Sequence, residues 1–300
     1  MGRDWIVVQV PYGGGYSSLN LAHTPGTKRA PKALKKKFMR QRIFMADNGI
    51  SSWDNIRWLE IPLGLGRKNN PKGWEKMHKS VVSYLKNLYC ELNLTSDVNM
   101  LFLGGSHSVT SSTYIGASQM LGRQQTGIIV LDAHPDCCSK ANWPIHSDWL
   151  RWLIEDEYVL PENVLLVGLR QIQKSEKEFL DKFNIRHYCM NDIKDANNFT
   201  INNLLIIRFL ERLQALSAIY LSIDIDVASG AFAPGTGCPS PGGFTDTELI
   251  NLVKQFKAVL PNLRAADIVE INPLKWWQKK VLRYDPTVDL GVKLIKEIIS

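Results

Sequence analysis

Residues 127–136 read Gly-Ile-Ile-Val-Leu-Asp-Ala-His-Pro-Asp, an apolar run that breaks off into two carboxylates flanking an imidazole. Aliphatic residues with no polar face describe a strand covered on both sides, as inside a parallel sheet. The same pattern recurs twice. Asn99–Leu103 runs into Gly104-Gly105-Ser106-His107-Ser108, and Ala218–Ile223, which carries Ser222, runs into Asp224-Ile225-Asp226. Further strands are expected at Trp5–Val10, Arg57–Ile61, Val164–Val167, Arg186–Tyr188 and Asp267–Ile271.

Between these runs the apolar residues change to a helical period. Trp74, Met77, Val81, Leu85, Leu88 and Leu92 recur at steps of three and four, and so do Leu249, Leu252, Val253, Phe256 and Leu260. Thr245 with Glu248 three positions on is a capping-box signature for the second helix. Strands alternating with helices imply an α/β fold: three α/β/α layers around a mostly parallel sheet. No internal repeat, low-complexity linker or change of composition divides residues 1–300, so one domain is expected.

Composition narrows the function. The net charge is +7, from 36 basic and 29 acidic residues, yet eight of the basic ones fall within Lys28–Arg42, which holds no acid. The rest of the chain, 28 bases against 29 acids, is nearly neutral, unlike the broad basic surface of a nucleic-acid binder. Lys28–Arg42 reads instead as one early helix whose apolar Ala33, Leu34 and Phe38 sit among charges, a solvated face or subunit contact. Lys275-Trp276-Trp277-Gln278-Lys279-Lys280 mixes bases and aromatics as a single-strand platform does, but its place after Glu270–Pro273 suits an active-site wall or subunit contact. No nucleic-acid partner is expected. Five cysteines without a CxxC pair fit a reducing compartment, and adjacent Cys137 and Cys138 read as packed thiols rather than a redox pair. The N-terminus shows no signal-peptide pattern, and Ile6 breaks the myristoylation pattern. No apolar run approaches the roughly 18 residues of a membrane span, so a cytoplasmic protein without a membrane partner is expected.

In open parallel sheets, ligands gather at the carboxyl ends of the strands. Here those ends carry His107, Asp132, His134, Asp136, Asp224 and Asp226. In extended backbone, residues two apart face the same side, so Asp132 with His134 and Asp224 with Asp226 are each expected to form a clamp. Four carboxylates brought together without cations would raise one another's pKa values, and two divalent ions would balance them. Mostly oxygen donors with two imidazoles suit Mn²⁺ better than Zn²⁺.

These motifs, GGSHS, DAHPD and SIDIDVASGAFAPGTGCPSPGG followed by VEINP at 269–273, resemble the ordered signature of the ureohydrolase (arginase/agmatinase) family. Gly26–Pro31 and Tyr284–Thr287 resemble its N-terminal loop and the lead-in to its last helix, so the resemblance covers most of the chain. It implies a binuclear Mn²⁺ centre held by the six residues above. Asp132 and Asp224 would bridge the ions, His107 and Asp136 would hold one, and His134 and Asp226 the other. It further implies hydrolysis of a C–N bond in a linear amidine, by attack of a hydroxide shared between two metals. Asp136 would orient that hydroxide. His146, in the loop CCSKANWPIHSDW, is the candidate proton shuttle, with an ordinary loop histidine as the alternative. Glu270 would bind the cationic amidine, with a surface ion pair as the alternative. A homo-oligomer is the expected assembly.

The chain also departs from the family pattern. Ser106 replaces an Asp that supports the first histidine, and Ser229-Gly230 replaces Asp-Pro. Cys138 stands where arginases place Asn, and Gln173 where they carry an acid that clamps an α-ammonium group. VASGAFAPG is closer to formimidoylglutamases, and the Asp132–His146 spacing resembles agmatinases and formimidoylglutamases. The expectation is therefore a guanidino or formimidoyl substrate other than arginine, with the particular amidine open. The rival reading is a catalytically silent member serving as a binding or oligomer-forming subunit.

Overall fold

The structure, a computed structural model, describes residues 5–16, 26–47, 56–91, 98–194, 204–274 and 284–300. Eight strands form one sheet: β1 Trp5–Gln9, β2 Arg57–Glu60, β3 Asn99–Leu103, β4 Thr126–Leu131, β5 Val164–Leu169, β6 Arg186–Cys189, β7 Ala218–Asp224 and β8 Leu263–Val269. Their order is β2-β1-β3-β8-β7-β4-β5-β6, and every pairing is parallel.

The helices are α1 Ala30–Asp47, α2 Pro71–Glu91, α3 Val109–Leu121, α4 Trp149–Glu155, α5 Lys174–Lys182, α6 Met190–Lys194, α7 Leu204–Gln214, α8 Asp246–Val259 and α9 Pro286–Ile299. Alternate strand residues sort them into two layers. Leu101, Ile129 and Leu221 pack with Leu34 and Phe38 of α1, Phe256 of α8 and Leu294 of α9. Their chain neighbours Met100, Phe102, Ile128 and Val130 pack with Met77 and Leu85 of α2, Tyr114 of α3 and Trp149 of α4. The result is the expected three-layer α/β/α fold. Leu34 and Phe38 are fully buried, while Lys37 forms an ion pair with Asp289 of α9 at 2.8 Å, so the basic helix is amphipathic with a partly neutralised outer face.

The last strand differs from expectation. It runs Leu263–Val269 instead of Asp267–Ile271. Arg264-Ala265-Ala266 has little strand propensity, but the register with β3 and β7 holds it extended. The Arg264 guanidinium is anchored on Asn99 Oδ1 at 2.8 Å. Glu270, at φ 59°, turns the chain out of the sheet.

The capping box of α8 forms as predicted: Glu248 N–H donates to Thr245 Oγ1 at 3.2 Å, and Thr245 N–H to Glu248 Oε2 at 2.7 Å. Thr245→Ala is expected to cost about 1 kcal/mol, measurable as a lower denaturation midpoint with an unchanged slope. Among the described residues no helix is long and apolar enough to cross a membrane.

Candidate metal centre

Strands β3, β8, β7 and β4 are neighbours at the middle of the sheet, so their carboxyl ends lie side by side. Strand spacing is about 4.8 Å, which brings side chains far apart in sequence within reach of one site. His107 leaves β3 through a tight turn in which Ser106 N–H donates to the Tyr12 carbonyl at 2.9 Å. A Cβ on Gly105 would come within 1.9 Å of that carbonyl, which explains the glycine.

The other ligand candidates follow β4 and β7. The extended clamp predicted for them is replaced by a turn. Asp132 Oδ1 accepts His134 N–H at 2.7 Å, and Asp224 Oδ1 accepts Asp226 N–H at 2.8 Å. Each aspartate folds its own backbone back, as Asx turns do, and the residue two positions on still faces the site. The Arg170 guanidinium holds the second turn from outside by donating to the carbonyls of Asp226 and Val227.

His107 Nδ1 lies 3.1 Å from Asp132 Oδ2, 2.9 Å from Asp136 Oδ2 and 3.2 Å from Asp224 Oδ2. His134 Nδ1 lies 3.1 Å from Asp226 Oδ2 and 3.5 Å from Asp132 Oδ1. Five of the six residues therefore form two clusters that share Asp132, His107–Asp132–Asp224 and Asp132–His134–Asp226, and Asp136 joins the first through His107. His107 Nδ1 and Asp132 Oδ2 are buried and, despite their proximity, have no hydrogen-bond partner of acceptable geometry. Buried polar atoms are rarely left so. Lone pairs converging without a hydrogen bond are what a cation between them requires, and the donor set suits a hard divalent ion.

The electrostatics agree. Burial, with repulsion from Asp226 and Asp132, pushes the Asp224 carboxyl well above its ordinary range. Burial and Asp132 push Asp136 up to about 7. Burial also opposes charge on Asp132, but the facing imidazoles of His107 and His134 overcome it and hold this carboxyl low. Burial disfavours imidazolium at both histidines, yet the surrounding aspartates hold both pKa values well above ordinary. Without metal, the positive charge at this cluster comes from the two imidazoles and, from outside, the Arg170 guanidinium.

A cavity of about 500 Å³ opens beside the two clusters. His146 lines it, with its backbone N–H donating to the Gly15 carbonyl at 2.8 Å and its Nδ1 2.9 Å from the same oxygen. That carbonyl can only accept, so the proton sits on Nδ1 and Nε2 keeps a lone pair. Burial lowers the His146 pKa and keeps the ring neutral. Tyr16 packs on it at 4.9 Å.

Glu270 also lines the cavity and is buried, which replaces the surface ion pair weighed for it. Its Oε1 accepts His107 N–H at 2.7 Å. Both Glu270 and Asp136 (φ 50°) hold the left-handed conformation, at a cost of about 1–3 kcal/mol each that persists only where the surroundings enforce it.

Burial pushes Glu270 from 4.5 to about 8. Between those values the folded metal-free chain keeps a proton that the unfolded chain releases, so stability falls as pH rises. Glu270→Gln is therefore expected to stabilise chelated protein at pH 9 by roughly 1–3 kcal/mol, with little effect near pH 4. Thermal unfolding at both pH values checks this.

Several contacts were not foreseen. Trp149 Nε1 donates to Asp136 Oδ2 at 2.8 Å, and Ser222 Oγ lies 3.0 Å from His107 Nε2. The loop residue His146 three positions before Trp149 was the available hint for the first, and the serine inside an apolar strand for the second. Ser106 pairs with Ser108 Oγ at 3.1 Å. The Cys138 thiol in the cavity wall is pushed up to about 12 by burial, and Cys137 is pushed up further, as packed thiols would be. Lys275–Lys280 lies outside the described residues.

The sequence model of the Arginase family matches residues 3–300. The arginase of Plasmodium falciparum (isolate 3D7) is 31% identical over 216 residues, covering 65% of this chain and 51% of that protein, so the match spans about half the relative's length. By structure the chain resembles the formimidoylglutamase of Bacillus subtilis subsp. subtilis str. 168, with TM-score 0.78, 21% identity and coverage of 100% and 87% of the two chains. The arginase of Bacillus subtilis gives TM-score 0.75, 23% identity and 99% coverage of both. At these identities the two structures speak for the fold.

Proposed function

This chain belongs to the Arginase family, and on that footing we propose that it is a binuclear, Mn²⁺-dependent hydrolase of a linear guanidino or formimidoyl compound other than arginine. The observation that carries this reading is the pair of ligand clusters sharing Asp132 beside the cavity that His146 and Glu270 line. His107, Asp136 and Asp224 would hold one ion with Asp132, and His134 and Asp226 the other, with Asp132 and Asp224 between them. Two divalent ions there would supply Lewis acidity and bring the pKa of water toward neutrality.

The remaining steps fall to side chains. With Oε1 held by His107 N–H and the Tyr16 hydroxyl donating to Oε2 at 3.3 Å, Glu270 uses its remaining lone pairs to bind the cationic amidine and orients its planar carbon toward the clusters. Asp136, fixed by Trp149, positions the attacking water. His146 takes up a proton on Nε2 and delivers it to the departing nitrogen, so the tetrahedral adduct collapses to an amine and an amide. The amide is urea from a guanidino substrate and formamide from a formimidoyl one.

Recognition of the substrate's far end argues against arginine. Gln171, Gln173 and Cys138 form that wall, and its acid, Glu176, already accepts N–H groups from Gln173 at 3.0 Å and Cys137 at 3.3 Å. An α-ammonium group finds no unengaged carboxylate among these residues. Mn²⁺-loaded protein offered agmatine, guanidinobutyrate, formimidoylglutamate and arginine, with urea and formamide assayed, tests the proposal. Turnover of one of the first three above arginine supports it; turnover of arginine alone overturns the substrate assignment. The homo-oligomer is part of the same proposal, and light scattering checks it.

A further inference from the structure

Behind His107 lies a buried polar chain that reaches no ligand-binding surface. Asp267 is fully buried on β8, on the sheet face beneath α3. Its Oδ2 accepts from Thr110 Oγ1 and from the Tyr220 hydroxyl, each at 2.7 Å, and its Oδ1 accepts from Ser222 Oγ at 2.8 Å. Burial pushes the Asp267 carboxyl up and these three donors pull it part of the way back down; with all three donating to it, the carboxylate only accepts. Its demand sets the direction of every bond in the chain. Ser222, having given its one proton to Asp267, offers a lone pair to His107 Nε2 at 3.0 Å. That nitrogen must then carry hydrogen, so the neutral ring has its lone pair on Nδ1, which faces Asp132, Asp136 and Asp224.

We propose that Asp267 is a positioning residue that acts through Ser222 to fix the metal-binding tautomer and orientation of His107. This rests on the reading of His107 as a metal ligand. The arrangement places a hydroxyl between the carboxylate and the imidazole, with the orienting charge one residue further from the ion than in a direct carboxylate–histidine pair. It also explains why Ser106 pairs with Ser108 and need not support the imidazole: the ring's support comes from β7 and β8.

The test is calorimetric titration of chelated full-length protein with Mn²⁺. Asp267→Asn and Ser222→Ala should each weaken one of the two ions about 10- to 100-fold and leave the other within about threefold. Because both lie on one path, the double variant should be no weaker than the worse single variant. Thr110→Val removes a donor from Asp267 off the path to His107; it should lower the unfolding temperature yet leave both affinities within about threefold. A purely structural Asp267 would give the opposite pattern, with Thr110→Val and Asp267→Asn alike and the Ser222→Ala effect additive, and that result overturns the proposal. If Asp267→Asn does not fold, Ser222→Ala decides alone, and unchanged affinity for both ions overturns it. A wild-type chain that fails to bind two ions overturns the metal-centre reading itself, a separate outcome.

Discussion

Asp132→Asn is expected to reduce bound metal from two ions to fewer than one and to lower amidine hydrolysis by about 10³-fold or more. Among the described residues no other side chain belongs to both ligand clusters. Its Oδ2 faces His107 and its Oδ1 faces His134 while also accepting the backbone N–H of that residue. An amide in its place presents one donor group to a site built for lone pairs and removes the charge both ions would share. Asp226→Asn touches one cluster only and should leave one ion in place. Elemental analysis after gel filtration, beside the initial rate on the best substrate of the panel, separates the two variants. Equal metal loss from both would remove the special place assigned to Asp132.

His146→Asn should behave in the opposite manner, keeping both ions and losing about 10²–10⁴-fold in kcat/KM. His146 belongs to neither ligand cluster, and its ring is held by the Gly15 carbonyl and Tyr16. Asn can still donate to Gly15 but cannot cycle a proton near neutral pH. Because burial lowers the His146 pKa, the acid limb of the wild-type rate profile should lie on the acid side of an ordinary histidine. The limb should vanish in the variant. A variant that loses metal, or keeps an unchanged acid limb, would remove His146 from proton transfer.

The three motifs were legible because strand and chemistry are adjacent in sequence. Leu103, Leu131 and Ile223 each precede polar residues that the parallel topology brings to one sheet edge. What could not be read is the order β3-β8-β7-β4, which makes those ends neighbours, since strand pairing leaves no local signature. Local patterning also misled at β8, where Arg264-Ala265-Ala266 resembles a loop until its partners hold it. The supporting residues were hidden for another reason. Trp149 has the character of a core aromatic, and Asp267 and Ser222 are single polar residues in apolar strands whose partners lie 45 to 157 positions away. Glu270 was identified by resemblance, but its buried carboxylate and left-handed backbone emerge only from the fold.

On the proposed function, two ions held at the ends of β3, β4 and β7 make this chain an amidine hydrolase. The most direct test is to chelate the protein, titrate Mn²⁺ back while counting bound ions, and assay urea and formamide from the substrate panel at each point. Two ions per chain, with product formation rising as the pair is completed, is the predicted result. Two bound ions with no amide product from any substrate, or turnover that is unchanged in chelated protein, would contradict it.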